Sequence, residues 1–325
     1  MEKLEIGRWK VAGASVEGLS HEKDSTPCQD KVAMAVDNRT AVIALADGAG
    51  SCKLSHYGAE IVVNKVKTMF IDSFDRVYNM DAKSAARYII SNIVSELREK
   101  LKEFEGAVLK DFSSTMLFVA VKDDRFIAGH VGDGVIGYIS KDQAKVLSEP
   151  ENGEFSNSTF FVTMDNSERY LRLSRGTIGN ASGFLLMSDG TGSSFYDKKT
   201  RTLAPASNAV LGWLDENSAL DVNKAIEKNL RELIRMKTND DCSMAIMVLC
   251  KKNLDEFRDR DIEFKKDFLE LSDDRAVENC IKVYEAVKKN RIIKKTTLRR
   301  VAKSIRLSKK IVFRHVKRMV NIGIL

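Results

Sequence analysis

The sequence predicts an α+β fold in which two β-sheets pack together with helices outside, followed by a small all-α module. Strand-like segments occur in two groups, separated by two long segments of helical spacing near residues 55–70 and 82–104. Basic residues are concentrated in residues 286–325, where helical spacing returns. A chain of 325 residues is long enough for one large domain and a small one.

The first strands surround the most informative segment of the chain. Residues 8–16 and Val32–Val36 are predicted strands, and a turn leads from the second of them to Ala41–Ala46. The continuous apolar run of Ala41–Ala46 is typical of a strand buried on both faces. It ends at Asp47-Gly48, so a carboxylate is expected where this strand leaves the core.

The remaining elements follow from spacing and turn residues. Ser55 is the predicted N-cap of a helix that reaches about Phe70, and a second helix covers about Ala82–Phe104. Residues 148–169 are polar and are predicted to form a surface loop that contains an edge strand at Phe160–Thr163. Further strands are predicted at Thr115–Lys122, Arg125–Val131, Gly134–Ser140 and Met244–Cys250, a loop or short helix at 191–199, and a helix at Asn217–Lys237.

Carboxylates recur at the ends of these predicted strands. Asp47, Asp133 and Asp189 each follow an apolar segment, and Asp240 and Asp241 precede one. Carboxylates gathered in one pocket repel each other unless they are protonated or neutralised by cations. Oxygen ligands with few histidines favour Mg²⁺ or Mn²⁺ over Zn²⁺. Each Asp-Gly pair, taken alone, is equally typical of an ordinary turn.

Several motifs in a fixed order extend this interpretation. They are Gly13-Ala-Ser-x-x-Gly18, His21, Pro27-Cys-Gln-Asp30, Ala46-Asp-Gly-Ala-Gly-Ser51, Ser55 with Gly58-Ala59, Asp111-Phe-Ser-Ser-Thr115, Gly132-Asp-Gly134, Ser188-Asp-Gly190 and Asn239-Asp-Asp-Cys-Ser243. Over residues 6–250 the sequence resembles the bacterial branch of the metal-dependent protein phosphatases of type 2C. The resemblance implies a four-layer αββα sandwich with a metal-binding cleft at one edge.

The resemblance also implies an activity, a protein-serine/threonine phosphatase that hydrolyses phosphomonoesters with hydroxide activated by two Mg²⁺ or Mn²⁺ ions. Asp47 would bridge both metals, and the Gly48 carbonyl would bind one of them. Asp189 and Asp240 would hold the other metal, and Asp30 would act through metal-bound water. Two further roles stay open: Asp133 would hold a third ion or stabilise its own turn, and Asp241 has no assigned role.

Three positions depart from the family pattern. Gln29 stands where many members have Glu, and Ala49 replaces the His that eukaryotic members carry after the central Asp-Gly. Ser25 occupies the position of a phosphate-binding Arg, and His21, with Lys23 behind it, is the nearest basic replacement. His56 is a candidate for the acid that protonates the leaving group. A structural hydrogen bond is the alternative for either histidine.

The amino-acid composition limits where the protein can be located in the cell and what it can bind. The five cysteines form no CxxC pair, which favours reduced thiols and a cytoplasmic protein. No apolar run approaches a membrane-spanning length, and the N-terminus is unlike a signal peptide, so no membrane association is expected. The net charge of +7 is unevenly distributed: residues 1–285 carry −7 and residues 286–325 carry +14.

This charge division predicts three parts, a catalytic domain at 1–252, a charged helical connector at 253–285 and a basic module at 286–325. Within the basic module, helices at Leu298–Ile305 and Lys309–Val320 are joined by a turn at 306–308, which is a helix-turn-helix pattern. The residues after the second helix resemble the exit of a winged-helix domain. Nucleic acid is a candidate partner through residues 294–320, and a solvated or protein-binding face is the alternative.

The leading functional hypothesis is a metal-dependent phosphatase that acts on phosphoserine or phosphothreonine in proteins, opposed by a Ser/Thr kinase, with a C-terminal module for targeting or regulation. One alternative is a weakly active phosphatase fold that binds a phosphorylated partner, which Gln29 and Ser25 motivate. The other is a DNA-binding regulator that the phosphatase domain controls.

Overall fold

A computed structural model describes residues 8–37, 39–141, 143–151, 159–250, 261–269, 271–288 and 295–321. The chain divides into two compact units. The larger unit is Trp9–Val248, and the smaller one holds the described residues from Leu249 onward. The predicted boundaries at 252 and 285 stay a prediction.

Two five-stranded sheets form the centre of the larger unit. The strands are β1 (Arg8–Val16), β2 (Lys31–Asp37), β3 (Thr40–Ala46), β4 (Met116–Lys122), β5 (Arg125–Val131), β6 (Val135–Ser140), β7 (Gln143–Ser148), β8 (Arg172–Thr177), β9 (Ala181–Met187), β10 (Tyr196–Asp197), β11 (Thr202–Leu203) and β12 (Cys242–Cys250). One sheet has the order β1-β12-β9-β6-β7 and the other β2-β3-β4-β5-β8, while β10 and β11 pair separately.

Helices cover the outer faces of both sheets. In chain order they are α1 (Leu19–Asp24), α2 (Ser55–Asn79), α3 (Ala82–Leu101), α4 (Asp189–Phe195), α5 (Ala206–Glu216) and α6 (Ala219–Asn229). The helices α2 and α3 share one hydrophobic cluster with the sheet that contains β3. On the other sheet, Lys10 donates to the Leu214 carbonyl of α5 at 3.1 Å, and Gly13 N–H donates to Asn223 of α6 at 2.8 Å. The predicted four-layer αββα sandwich is confirmed.

The central strand β3 is the best-buried element. All seven of its residues are buried, as the apolar run predicts. It pairs antiparallel with both β2 and β4, and it contacts β9 of the other sheet. Helix α2 closes its outer face, so the strand has neighbours on every side. A segment enclosed in this way gives its last residue a well-defined position.

The smaller unit is helical over its described residues. Its helices are α7 (Ile262–Leu269), α8 (Asp274–Lys288), α9 (Lys295–Ser304) and α10 (Lys309–Asn321). One hydrophobic cluster joins them, and it includes Leu269, Val283, Val301 and Val316. The predicted helix-turn-helix is therefore present, and its core also takes in the preceding helices α7 and α8. The predicted winged-helix exit after residue 321 lies outside the described residues.

Several local predictions are wrong, and the first long helix runs on to Asn79 instead of ending at about Phe70. Phe160–Thr163 form no strand; Val162 is fully buried and Phe160 stacks on Tyr170, so this segment packs against the core. Ser55 is the first helical residue rather than the N-cap of α2, and its hydroxyl donates to the Cys52 carbonyl at 2.9 Å. The segment predicted as one helix at Asn217–Lys237 is α-helical only over Ala219–Asn229. A wider π-helical turn at Leu230–Ile234 and a tighter 3-10 turn at Arg235–Lys237 follow it.

Within the part of the chain that the structure describes, no helix is both long and apolar enough to cross a membrane. The cytoplasmic location stays a prediction.

Candidate active site

The strand registers bring the predicted carboxylates to one end of the sandwich. Lys31 pairs with Ala46, so Asp30 and Asp47 lie at the same end of β2 and β3. In the other sheet Met187 pairs with both Val135 and Met244, so the residues after β9 lie beside those that precede β6 and β12. Asp133, Asp189, Asp240 and Asp241 occupy these adjoining positions.

Backbone hydrogen bonds hold the loop that carries Asp47. Its N–H donates to the Thr115 hydroxyl at 2.9 Å, and its carbonyl accepts from Thr115 N–H at 2.8 Å. Gly48 N–H donates to the Gln29 carbonyl at 3.2 Å. A Cβ at Gly48 would lie 2.9 Å from Ser55, so glycine permits the close approach of this loop to α2. The carboxylate of Asp47 is not needed for these bonds.

Asp189 is held by a second connection between strands. It begins α4, and Ser188 before it exchanges hydrogen bonds with Ser243 of β12: Ser188 N–H donates to the Ser243 carbonyl at 3.2 Å, and Ser243 N–H donates to the Ser188 hydroxyl at 3.0 Å. A Cβ at Gly190 would lie 2.2 Å from the Asp241 carbonyl. The start of α4 is therefore packed directly against the residues that precede β12.

The clustered carboxylates raise one another's pKa values. The pKa of Asp47 is raised well above its usual value, by burial first and then by the charges of Asp30, Asp189, Asp240 and Asp133. Burial, with the charges of Asp240 and Asp133, raises the pKa of Asp189 to about 6. The charges of four other aspartates therefore act on Asp47, and its role as the bridging metal ligand stays a prediction.

The carboxylate of Asp30 is deeply buried in this cluster. Asp30 is 1% exposed, and the Ser188 and Ser243 side chains act on its carboxylate without forming a hydrogen bond of ordinary geometry to either oxygen. Burial, and after it the charge of Asp241, raises the pKa of Asp30. Unpaired buried carboxylate oxygens are costly unless a proton or a cation compensates them.

The donor set fits hard divalent cations, since carboxylate oxygens and backbone carbonyls are the ligands that Mg²⁺ and Mn²⁺ prefer. Among the residues that the structure describes, no group of three or more Asp, Glu, His or Cys side chains is arranged to hold a metal ion. Mg²⁺ commonly binds through one or two carboxylates and keeps several water ligands.

Asp241 has a role that the sequence leaves open. It is 2% exposed, and it accepts hydrogen bonds from Gly18 N–H at 2.6 Å, from Gln29 N–H at 2.6 Å and from His21 Nδ1 at 2.9 Å. It therefore ties the segment before β2 and helix α1 to the start of β12. His21 lies close enough to Asp240 for its charge to lower the pKa of that carboxyl group, although burial raises it overall.

The other predicted catalytic histidine has different neighbours. His56 is the second residue of α2, and its ring lies 4.1 Å from the ring of Tyr57. Its pKa is lowered by burial and by the charge of Lys31, and Glu60 acts in the opposite direction. Lys31 and Glu60 are therefore the charged groups that act on His56, and its role as the leaving-group acid stays a prediction.

Asp133 is engaged by the segment that follows β7. The Thr159 hydroxyl donates to one of its carboxylate oxygens. This bond supports a turn-stabilising role and leaves the other oxygen for a ligand, so both roles stay open.

A cavity of about 410 Å³ opens beside the aspartates. The residues that line it are Asp133, Val135, Pro150, Thr159, Asp189, Gly190, Gly192, Ser193, Tyr196, Lys198 and Thr238. Lys198 supplies the cationic group of this lining, next to two of the clustered carboxylates. Sequence reasoning missed Lys198, because it lies in a polar segment with no motif; only its charge close after the Ser188-Asp-Gly190 motif could have drawn attention to it.

Comparisons with known proteins agree with this arrangement. A family model described as Protein phosphatase 2C matches residues 17–231. Serine/threonine-protein phosphatase 3 of Escherichia coli strain K12 is 25% identical over 190 residues, which cover 56% of this chain and 73% of that protein. The crystal structure of a bacterial serine phosphatase is similar with a TM-score of 0.54 at 15% identity, covering 75% of this chain and 100% of that one.

A second solved structure is the catalytic domain of the serine/threonine protein phosphatase PstP in complex with two manganese ions. It is similar with a TM-score of 0.50 at 14% identity, and it covers 75% of this chain and 99% of that chain. At these identities the solved structures establish the likeness of the fold.

The family match spans well over half of the chain, so the chain belongs to the protein phosphatase 2C family. The predicted family and the predicted enzyme class, a protein-serine/threonine phosphatase, are confirmed.

Proposed function

We propose that the larger unit hydrolyses phosphoserine and phosphothreonine esters of proteins with two bound Mg²⁺ or Mn²⁺ ions. The observation that carries this proposal is that the strand registers bring Asp47 and four other aspartates to one end of the sandwich. Asp47 and the Gly48 carbonyl, with Asp189 and Asp240, would hold the ions, and Asp30 would act through water. Asp133 would serve a third ion or its own turn. Bound ions supply a nucleophile from water at neutral pH and neutralise phosphate oxygens.

The chain's own residues would position the substrate. His21 is held by Asp241 beside Asp240, which suits a group that orients a phosphate oxygen. Lys198 in the adjoining cavity would attract the phosphorylated segment of the substrate protein. The cavity of about 410 Å³ beside the aspartates would receive the phosphorylated side chain. A Ser/Thr kinase would supply this substrate.

A phosphopeptide assay tests the proposal. We expect hydrolysis of a phosphothreonine peptide to stop with EDTA and to return with Mn²⁺ or Mg²⁺. Ca²⁺ should not restore it, because Ca²⁺ prefers more ligands at longer distances. Asp47→Asn and Asp189→Asn should each lower kcat by 100-fold or more, whereas the exposed Asp215→Asn control should keep the parent rate. Calorimetric titration with Mn²⁺ should show weakened binding in the first two variants only.

Two results would contradict the proposal. Near-parental turnover by Asp47→Asn at saturating Mn²⁺ would remove the central ligand role. Tight binding of the phosphopeptide without turnover in any metal would favour the alternative of an adaptor that binds a phosphorylated partner.

A further inference from the structure

We propose that the helix pair α9–α10 binds duplex DNA, with α10 entering the major groove. This is a second activity, and it rests on the smaller unit alone, without any residue of the aspartate cluster.

The two helices form a fixed pair. The turn between them places Arg306 in the left-handed region, with φ of 56°, and Leu307 N–H donates to the Ala302 carbonyl at 3.1 Å. The Ser308 hydroxyl caps α10 by accepting from Ile311 N–H at 3.2 Å. Leu298 and Val301 of α9 pack with Val312 of α10 in one buried cluster. The pair therefore presents its outer residues in a defined arrangement, which a groove-binding helix requires.

The outer residues are almost all cationic. Eight exposed Lys and Arg side chains belong to α9, the turn and α10: Arg299, Arg300, Lys303, Arg306, Lys309, Lys310, Arg314 and Lys317. Residues 286–325 contain no Asp or Glu, and among the described residues no ion pair joins any of these eight to a carboxylate. The like charges repel one another, so this surface is complementary to a dense polyanion.

The adjacent helices of the same unit show the opposite behaviour. Lys266 of α7 pairs with Glu263 at 2.8 Å and with Asp274 of α8 at 2.7 Å, and Lys282 lies 3.9 Å from Glu278. Two lysines of α7 and α8 therefore lie beside carboxylates, whereas none of the eight cationic side chains of α9, the turn and α10 does among the described residues. General solubility would not need this separation.

The outward stripe of α10 also contains one aromatic side chain. Lys310, Phe313, Arg314 and Lys317 follow the i, i+3, i+4, i+7 spacing of one helix face, while Val312, Val316 and Met319 face the core. Phe313 is 57% exposed between the cationic side chains. An apolar group flanked by phosphate-binding cations suits the major groove, where thymine methyl groups offer an apolar contact. This combination favours DNA over an acidic protein surface.

Fluorescence anisotropy of the full-length protein with a labelled 30-base-pair duplex tests the inference. The triple variant Lys310→Ala, Arg314→Ala, Lys317→Ala should bind at least tenfold more weakly at 100 mM salt. The slope of log affinity against log salt should fall by about 2.7, since each phosphate contact contributes about 0.9. The matched control, Lys83→Ala, Arg87→Ala, Arg98→Ala on the exposed face of α3, removes the same charge and should change neither value. Phosphopeptide hydrolysis should stay unchanged in both triple variants. DNA binding and hydrolysis are therefore tested separately, and a failure of one proposal can be distinguished from a failure of the other.

Two outcomes would overturn DNA binding itself. One is equal loss of affinity in both triple variants, which would show that only total charge matters. The other is competition by polyglutamate as effective as that by unlabelled duplex at equal charge, which would identify an acidic protein surface as the partner. Phe313→Ala should leave the salt slope intact and lower the preference for thymine-containing sites in a random duplex pool. An unchanged preference would contradict the placement of α10 in the major groove.

Discussion

Replacement of Asp241 by Asn separates the role of this residue from that of a metal ligand. Its two carboxylate oxygens accept from Gly18 N–H, Gln29 N–H and His21, which come from the segment that leads into β2. In the variant, one oxygen remains for Gly18 and His21, and the new amide group faces Gln29 N–H, which is itself a donor. One charge-assisted bond is then lost, and a buried donor is left without a partner.

The expected magnitude follows from these contacts. A hydrogen bond to a charged group contributes about 1.5–3 kcal/mol, and a buried unsatisfied donor costs about 1–3 kcal/mol. Relief of the repulsion between Asp241 and Asp30 offsets part of this loss. We therefore expect Asp241→Asn to lower the free energy of unfolding by about 3 kcal/mol. The effect should be present without any metal, because the three bonds join parts of the protein to each other.

Urea unfolding in EDTA measures this effect, with Asp240→Asn as the matched control. Asp240 accepts one bond, from the N–H of its neighbour Asp241 at 2.9 Å, so its replacement should cost less than about 1 kcal/mol in EDTA. The order should reverse in Mn²⁺ binding, where Asp240→Asn weakens affinity more. A variant Asp241→Asn that unfolds at the parent urea concentration would refute the positioning role.

Three further predictions concern other parts of the molecule. Lys198→Ala should raise KM for a phosphopeptide severalfold and leave kcat nearly unchanged, since Lys198 lines the cavity beside the aspartates; a fall in kcat alone would contradict this. His130 is fully buried, and burial and the charge of Arg172 hold its pKa well below the usual value, so the unfolded chain binds the proton more readily. The contribution of His130 to the unfolding free energy should therefore be largest above about pH 6.5 and fall below it by up to about 1.4 kcal/mol per pH unit, so the parent protein should lose more stability than His130→Asn on acidification from pH 6.5. Deletion from residue 261 onward should leave hydrolysis of a short phosphopeptide intact, because the aspartate cluster lies within Trp9–Val248; complete loss in a folded truncated protein would show that the smaller unit takes part in catalysis.

Local sequence patterns determine much of this protein. The apolar run Ala41–Ala46 predicts a strand buried on both faces, and β3 is buried along its whole length. The strand-end positions of Asp47 and Asp189 follow from the same reasoning, because an apolar run that meets an Asp-Gly pair marks the change from a buried strand to a turn. The pair α9–α10 is equally readable, since its apolar residues recur at helical spacing and Ser308 marks the start of the second helix.

Only the tertiary structure decides which of the carboxylates share a pocket and what each contacts. Asp241 bonds to Gly18 and His21, which lie more than 200 residues away in the sequence. No local pattern therefore indicates that Asp241 connects distant segments of the chain, whereas Asp240 does not. His56 follows the loop that carries Asp47 in sequence, and only the structure shows that its ring lies against Tyr57 and near Lys31. Phe160 reads as part of an edge strand and instead stacks on Tyr170. Hydrogen-bond partners and packing neighbours depend on which segments fold together, and propensity carries no information about distant partners.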